Sequence, residues 1–341
     1  MKARLVDVAR EAGVSPKTVS NYLNGYPFMS ERTTERVRAA IAKLDYVPNQ
    51  SARTLRTGKI GIIGVALPNL QAPYFAELAG LLTEAAEERG YTLLIDQTGG
   101  DLDRELRAVR GIGPQALDGL ILSPLSLAAE DVAAARDAQP LVVLGEWTHP
   151  AGVPYVGVDN VAAARAATEH LLSLGRRRVA AIGTISDTPR GTWGVRLTGY
   201  RAALTEAGQA TDERLEPRVA NFHFDQGASA MSRLLDLPQG PDAVFCFSDM
   251  LAIGALSVLH RRGVRIPDDI AVMGWDDITQ ARYAWPPLTS VRAGTDVVAR
   301  TAVDYLLRQI DDRPLEHTDH YVDFEIIVRA STTGVNAADD D

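Results

Sequence analysis

Apolar positions at Leu5, Val8, Ala9 and Ala12 recur at spacings of three and four, so the chain opens on an amphipathic helix, closed by Gly13. Val14 points inward after that stop. Ser15 then offers a side-chain oxygen as an N-cap, and Pro16 takes the first helical position, where its missing N–H costs nothing. Val19, Tyr22 and Leu23 give this second helix one apolar face, and Asn24 with Gly25 end it. Ser30 caps a third helix that gathers Val37, Ala40, Ile41 and Leu44 on one side. From Lys59 the pattern changes. Continuous apolar runs at 60–67, 91–95, 119–122 and 141–144 predict buried strands, with helices between them at 74–89, 101–110 and 128–138. The alternation then repeats, with strands at 178–182, 218–221, 243–247 and 270–274 and helices at 195–207, 226–235, 250–262 and 295–309. Unbroken apolar strands imply parallel sheets covered on both faces. The predicted fold is an all-α helix-turn-helix head plus an α/β body of two doubly wound parallel-sheet subdomains, with a ligand crevice at the strand ends.

The pattern divides the chain into a head at 1–47, a linker at 48–58, a body at 59–330 and a flexible acidic tail at 331–341. Pro48 and Asn49 are helix start signals and Gly58 is a stop, which leaves room for about two turns between them. A helix that short is marginal alone, because nucleation is unfavourable and few bonds follow it. It needs a partner to stay folded. The tail has no leucine heptads, so no tetramer-forming helix is expected there.

In a helix-turn-helix module the second helix enters the major groove of DNA with its N-terminal residues against base edges. Lys17 can donate to guanine O6 and N7, Asn21 matches the donor and acceptor pair of adenine, and Pro16 offers apolar contact to a thymine methyl. Ser15, Thr18, Ser20, Asn24 and Ser30 have the chemistry for phosphate oxygens, which fix register without reading sequence.

Charge sharpens this reading. The 341 residues carry a net charge of -9, yet residues 1–60 hold 11 Lys+Arg against 5 Asp+Glu, leaving 24 against 39 for the rest. A basic head on an acidic body points to a polyanion partner for the head alone. Cys246 is the single cysteine, which excludes an intramolecular disulfide and a cysteine-based metal cluster. The N-terminus has no apolar signal core, and no apolar run approaches the roughly 20 residues of a membrane span. The expectation is a cytoplasmic, nucleoid-associated protein without a cofactor. Gly58, Gly61 and Gly64 do not make a dinucleotide-binding signature, no phosphate loop is present, and the six histidines are scattered. An enzyme is therefore not expected; a dehydrogenase, or a free-standing small-molecule-binding protein, is the alternative.

The run Asp7-Val8-Ala9-Arg10-Glu11-Ala12-Gly13-Val14-Ser15, then Thr18-Val19-Ser20, Leu23-Asn24-Gly25 and Tyr46-Val47-Pro48-Asn49, with Ala52-Arg53-Thr54-Leu55-Arg56, resembles the LacI/GalR repressors. The body adds Val158-Asp159-Asn160, Arg196-Leu197-Thr198-Gly199-Tyr200, Gly274-Trp275-Asp276-Asp277 and Pro287-Leu288-Thr289-Ser290. Arg4 departs from the family pattern, which usually has threonine there. The resemblance implies a homodimeric repressor on a near-palindromic double-stranded operator, and a body of the periplasmic sugar-binding type. It implies that two linker helices pair in the minor groove through Asn49, Ala52, Arg53, Leu55 and Arg56, with Leu55 as an apolar wedge between base pairs. It also implies an effector site of Tyr74, Phe75, Ser123, Trp147, Arg190, Thr192, Arg196, Phe222, Ser248 and Asp276, with Arg196 and Asp276 holding ligand hydroxyls. A carboxylate accepts two such bonds and a guanidinium donates in a planar fork. The expected effector is a carbohydrate acting as inducer. Arg190 and Thr192 also match positions used by a purine-responsive member, so a corepressed regulator answering to a purine or other metabolite is the alternative.

Overall fold

The computed structural model describes residues 3–334 apart from 24–25, 27, 47–58, 112–116, 136–138, 146–150 and 187–190. The chain divides between Ile60 and Gly61 into two compact units. In the first, α1 (Leu5–Ala12), α2 (Pro16–Leu23) and α3 (Glu31–Lys43) lie where the apolar spacing predicts them. Val8, Ala9, Ala12, Val19, Val37, Ala40 and Tyr46 form their shared core. Gly13 makes the turn between α1 and α2 at φ 61°, and a Cβ there would stand 2.4 Å from the Arg36 guanidinium that bonds the Gly13 carbonyl at 3.0 Å. Left-handed backbone and lack of space both call for glycine. At the start of α1, where Arg4 replaces a hydroxyl cap, the Asp7 carboxylate accepts the Arg4 backbone N–H at 3.0 Å instead.

The second unit holds two sheets. The first, in order β10 (Asp319–Val322), β5 (Tyr155–Val158), β4 (Leu141–Leu144), β3 (Leu120–Leu122), β1 (Ile62–Leu67), β2 (Thr92–Gln97), is parallel throughout. The second runs β11 (Glu325–Ile327), β9 (Thr289–Arg292), β8 (Ala271–Trp275), β7 (Ala243–Cys246), β6 (Val179–Ile182), with only β11 antiparallel to its neighbour. Each sheet is covered on both faces. α4 (Pro73–Glu87) and α12 (Thr295–Ile310) pack on one side of the first, and α5 (Leu102–Val109) and α6 (Ala129–Ala135) on the other. The second is sandwiched between α7 (Asn160–Ser173) with α8 (Gly191–Glu206) and α9 (Phe224–Leu235) with α10 (Asp249–Arg261). The short α11 (Thr279–Arg282) and α13 (Ala330–Thr333) complete the helices introduced here.

Several details differ from the sequence reading: β5, β9, β10 and β11 lie outside the expected strands, and Ser331 and Thr332, placed in the flexible tail, are buried in α13. Among the described residues the chain passes between the sheets three times, after β5, β9 and β10, so α12 and β10 belong to the first subdomain although they follow the second in sequence. Residues 218–221 form no strand; Arg218 makes an isolated bridge to Thr184. β2 lies at an edge and is largely exposed instead of buried, because nothing pairs on its outer side within the described residues.

Candidate functional site

The cleft lies between the two sheets of the second unit, and its lining comes mostly from their strand ends. The crevice is bounded by Leu144 at the end of β4 and Gly145 after it, Val156 to Val158 of β5, Ser123 after β3, Trp275 and Asp276 at the end of β8, and Ala293 after β9. Helices add Tyr74 from α4, Arg196 from α8 and Val298 from α12. Open parallel sheets bind ligands at such carboxyl ends, where backbone groups and side chains converge on one crevice.

Arg196 is only 5% exposed and is fixed on three sides. Its Nε donates to Asn160 Oδ1 at 2.9 Å, its Nη1 donates to the Phe247 carbonyl, and its guanidinium carbon sits 4.0 Å from the centre of the Trp275 ring. Asn160 is held in turn by its bond to the Val158 carbonyl at 3.2 Å. A cation over an aromatic face, with planar donors already oriented, presents a rigid positive wall.

Asp276 stands on strained backbone. Its φ is 109° and that of Asp277 is 50°, conformations that a side chain other than glycine's adopts at a cost of order 1–3 kcal/mol each. A hydrogen-bond ladder holds them there. The Asp276 N–H donates to the Val291 carbonyl at 2.9 Å, the Asp277 N–H to Ser290 Oγ at 3.0 Å, and the Ile278 N–H to Asp249 Oδ2 at 2.9 Å. Ser290 Oγ donates to Asp249 Oδ1 at 2.7 Å, so one buried carboxyl anchors both ends. Burial pushes the Asp249 carboxyl up to about 8, with the neighbouring Asp277 charge adding to the rise and the bonds from Ser290 and Ile278 opposing it. Gly274 is required beside it, since a Cβ would lie 2.1 Å from Asp249 Oδ1. The Asp277 carboxylate is clamped by Arg292, whose Nε and Nη2 each lie 2.8 Å from Oδ2, while Arg329 Nη2 stands 2.7 Å from Oδ1 at ion-pair separation.

Of the effector residues expected from the sequence, Tyr74, Ser123, Arg196 and Asp276 line this cleft. Phe75, Thr192, Phe222 and Ser248 are not among its walls. Phe75 packs into the first subdomain and meets the Tyr74 ring edge-on at 5.1 Å; Phe222 lies against the cores on both faces of the second sheet. Ser248 is the N-cap of α10, accepting the Leu251 N–H at 3.3 Å, and Thr192 is buried in the first turn of α8. Trp147 and Arg190 lie outside the described residues. Sequence reasoning gave no role to Trp275, Asn160 or Asp249. Trp275 and Asn160 sit inside quoted motifs, and the signal for Asp249 was its place just after a capping serine at the mouth of a strand.

In the first unit, Pro16 and Lys17 are exposed on α2 and Asn21 is half-buried. Ser15 caps α2, accepting the Thr18 N–H at 3.1 Å and sharing a hydroxyl bond with Thr18 at 2.8 Å. Ser30 caps α3 in the same manner through Thr33, at 3.3 and 2.8 Å. Each cap leaves a hydroxyl-lined helix N-terminus, a surface suited to phosphate. Ser20 is half-buried. Between the two helices Tyr26 and Phe28 are 52% and 84% exposed, their rings edge-to-face at 5.8 Å. Asn24 and the linker residues Asn49, Ala52, Arg53, Leu55 and Arg56 lie outside the described residues. Among the described residues, no helix is long and apolar enough to cross a membrane, and no group of three or more His, Cys, Asp or Glu could hold a metal ion.

Residues 4–49 match the bacterial regulatory proteins of the lacI family, and residues 168–332 match the periplasmic binding protein-like domain. Over 331 residues the chain is 32% identical to the HTH-type transcriptional repressor CytR of Escherichia coli, covering 97% of this chain and 96% of that protein. It is 36% identical to the HTH-type transcriptional regulator CelR of Thermobifida fusca, covering 95% and 96%. A solved complex of CelR with cellobiose superposes with a TM-score of 0.70 at 34% identity, over 96% of this chain and 99% of that one. The lac repressor dimer bound to operator and the anti-inducer ONPF superposes with a TM-score of 0.83 at 25% identity, over 97% and 99%.

Proposed function

The chain belongs to the lacI family of bacterial regulatory proteins, and on that premise we propose that it is a homodimeric transcriptional repressor whose operator affinity is set by a sugar bound in the cleft. The observation that carries the sugar reading is the meeting of a rigid guanidinium, Arg196, with a carboxylate on locked backbone, Asp276, at one crevice. A planar donor beside a two-oxygen acceptor suits vicinal hydroxyls, which both donate and accept. Tyr74, Leu144, Val158 and Val298 supply apolar surface for the ring carbons. CelR, similar over nearly the whole chain, has been solved with cellobiose, which makes saccharides the first class to test.

In this reading α2 of each subunit lies in the major groove, with Lys17 and Asn21 against bases, Pro16 against an apolar edge, and Ser15, Thr18, Ser20, Asn24 and Ser30 on phosphates. Paired linkers place Leu55 in the minor groove at the operator centre. Tyr283 and Trp285, 83% and 79% exposed after α11, give the body an apolar surface for a second copy. The sugar acts as inducer: it stabilises the body conformation that does not hold the two linkers together.

Selection from a random duplex library with the full-length protein tests the reading. The enriched sites should be near-palindromes, with half-sites centred about one helical turn apart. Lys17→Ala should relax preference at one position in each half-site, a loss of order tenfold in discrimination, whereas Leu55→Ala should lower affinity for every enriched site alike. Enrichment of asymmetric sites, or unchanged preference in Lys17→Ala, would remove the assignment.

A further inference from the structure

The turn that carries Asp276 also reaches the other subdomain. Three residues beyond Asp276, Thr279 donates both its backbone N–H, at 3.2 Å, and its hydroxyl, at 2.9 Å, to one carboxylate oxygen of Glu77. Glu77 belongs to α4, whose Leu78, Ala79, Leu82, Ala85 and Ala86 are buried in the core of the first subdomain. Thr279 starts α11, whose Ala281 is buried in the core of the second. The two hydrogen bonds therefore join the subdomains across 202 positions of sequence. Tyr74, three residues before Glu77 on the same helix, lines the cleft and packs against cores of both subdomains. The first turn of α4 thus spans the crevice at two successive points, one at the ligand space and one outside it.

The Thr279 side of this contact is not free to settle by itself. The residue before it, Ile278, is buried and gives its N–H to Asp249, and the residues before that are fixed by Ser290, Val291, Arg292 and Arg329. Backbone N–H bonds at Asp276, Asp277 and Ile278 thus fix the path of the chain from Asp276 to Thr279. Glu77 and Thr279 are themselves exposed, so water competes for their bonds and the contact can be made and broken at low cost. A buried pair would hold the cleft permanently in one state.

We propose that Glu77 is the clasp of the cleft, a positioning residue whose double hydrogen bond to Thr279 couples the turn bearing Asp276 to the helix bearing Tyr74. This rests on the reading of the crevice as the effector site. The clasp holds the subdomains closed without touching the ligand, and occupancy at Asp276 resets its grip.

Hydrogen exchange of the full-length protein, with no ligand or DNA added, tests it with Glu77→Gln, Glu77→Ala, Thr279→Val and the double variant Glu77→Ala/Thr279→Val. Glu77→Ala should raise exchange severalfold in the 276–283 segment and also, across the crevice, in the loop after β3 that carries Ser123. Thr279→Val, which keeps the backbone donor and loses the hydroxyl, should give a smaller rise of the same pattern. The double variant should not exceed Glu77→Ala, because both act through one contact. Glu77→Gln, which keeps an acceptor oxygen, should remain near the parent. Faster exchange confined to 276–283, or effects that add, would reduce the contact to a local bond and overturn the proposal. If the exchange cycle couples but the parent protein enriches no duplex, the repressor reading fails while the clasp stands; if duplexes are enriched and the cycle does not couple, the clasp fails alone.

Discussion

Replacing Asp276 with alanine is expected to weaken effector binding by roughly 100-fold while operator affinity without effector stays within about threefold. The magnitude takes the lower end of the range for hydrogen bonds to a charged group, about 1.5 kcal/mol for each of the two hydroxyl bonds that one carboxylate accepts, or about 3 kcal/mol together. The selectivity follows from the ladder beneath it. Asp277, Ser290 and Asp249 hold the turn through backbone N–H groups, which the substitution leaves in place. Asp276→Asn retains one acceptor oxygen and should lose closer to tenfold. Calorimetric titration with a saccharide identified by thermal shift, alongside operator binding by the same preparations, reads both quantities. Effector affinity unchanged in Asp276→Ala would take this residue out of the site; loss of both activities would mean the turn itself had collapsed.

The second large effect is on stability and its pH dependence. Asp249 holds its proton up to about 8 in the folded protein, whereas an unfolded aspartate ionises near 3.8. Between those values the native state binds the extra proton, so this group's contribution makes stability fall as pH rises from about 4 to 8, and beyond 8 the loss is complete. The slope approaches, at most, about 1.4 kcal/mol per pH unit for one proton. Asp249→Asn is neutral throughout and imitates the protonated carboxyl, with its carbonyl oxygen accepting from Ile278 and its amide facing Ser290. Below about pH 4 the variant should match the parent closely; from there its advantage should grow up to pH 8 and then level off. Urea midpoints measured from pH 5 to 9 on both proteins check this, because groups common to both cancel in the difference. Parallel curves would show that Asp249 is ionised in the native protein at neutral pH.

The head was almost wholly legible in the sequence, because each of its features is local. Leu5, Val8, Ala9 and Ala12 are neighbours on one helix by spacing alone, and Ser15, Ser30 and Gly13 mark ends through bonds to residues three or four positions away. The body was legible where strands are central and continuous in apolar residues, as in β1, β3, β4, β6, β7 and β8. It was not legible at β9, β10 and β11, whose Thr289, Asp319 and Glu325 break the apolar run, nor at β5, a four-residue strand interrupted by Gly157. The return of α12 and β10 to the first subdomain is a choice of topology that no local periodicity encodes.

The cleft shows the same boundary between local and long-range information. Asp276 and Arg196 could be picked out by residue type and motif, and they converge. Ser248 could be picked out in the same way, yet its side chain is occupied in capping α10, a role that depends on where the helix begins. Phe222 has the chemistry of a sugar platform, and it packs half-buried against the cores on both faces of the second sheet, outside the crevice walls. Glu77 and Thr279 lie too far apart in sequence for any spacing argument to pair them.

The central claim is that one molecule couples the cleft to the operator. Fluorescence anisotropy of a labelled duplex enriched by the full-length protein, titrated with and without a saturating saccharide that raises its melting temperature, measures that coupling directly. The account predicts an operator Kd higher by about 5- to 150-fold with the saccharide, and the same factor for saccharide affinity with and without duplex. A saccharide that binds the cleft through Asp276 and leaves the operator Kd unchanged would contradict it.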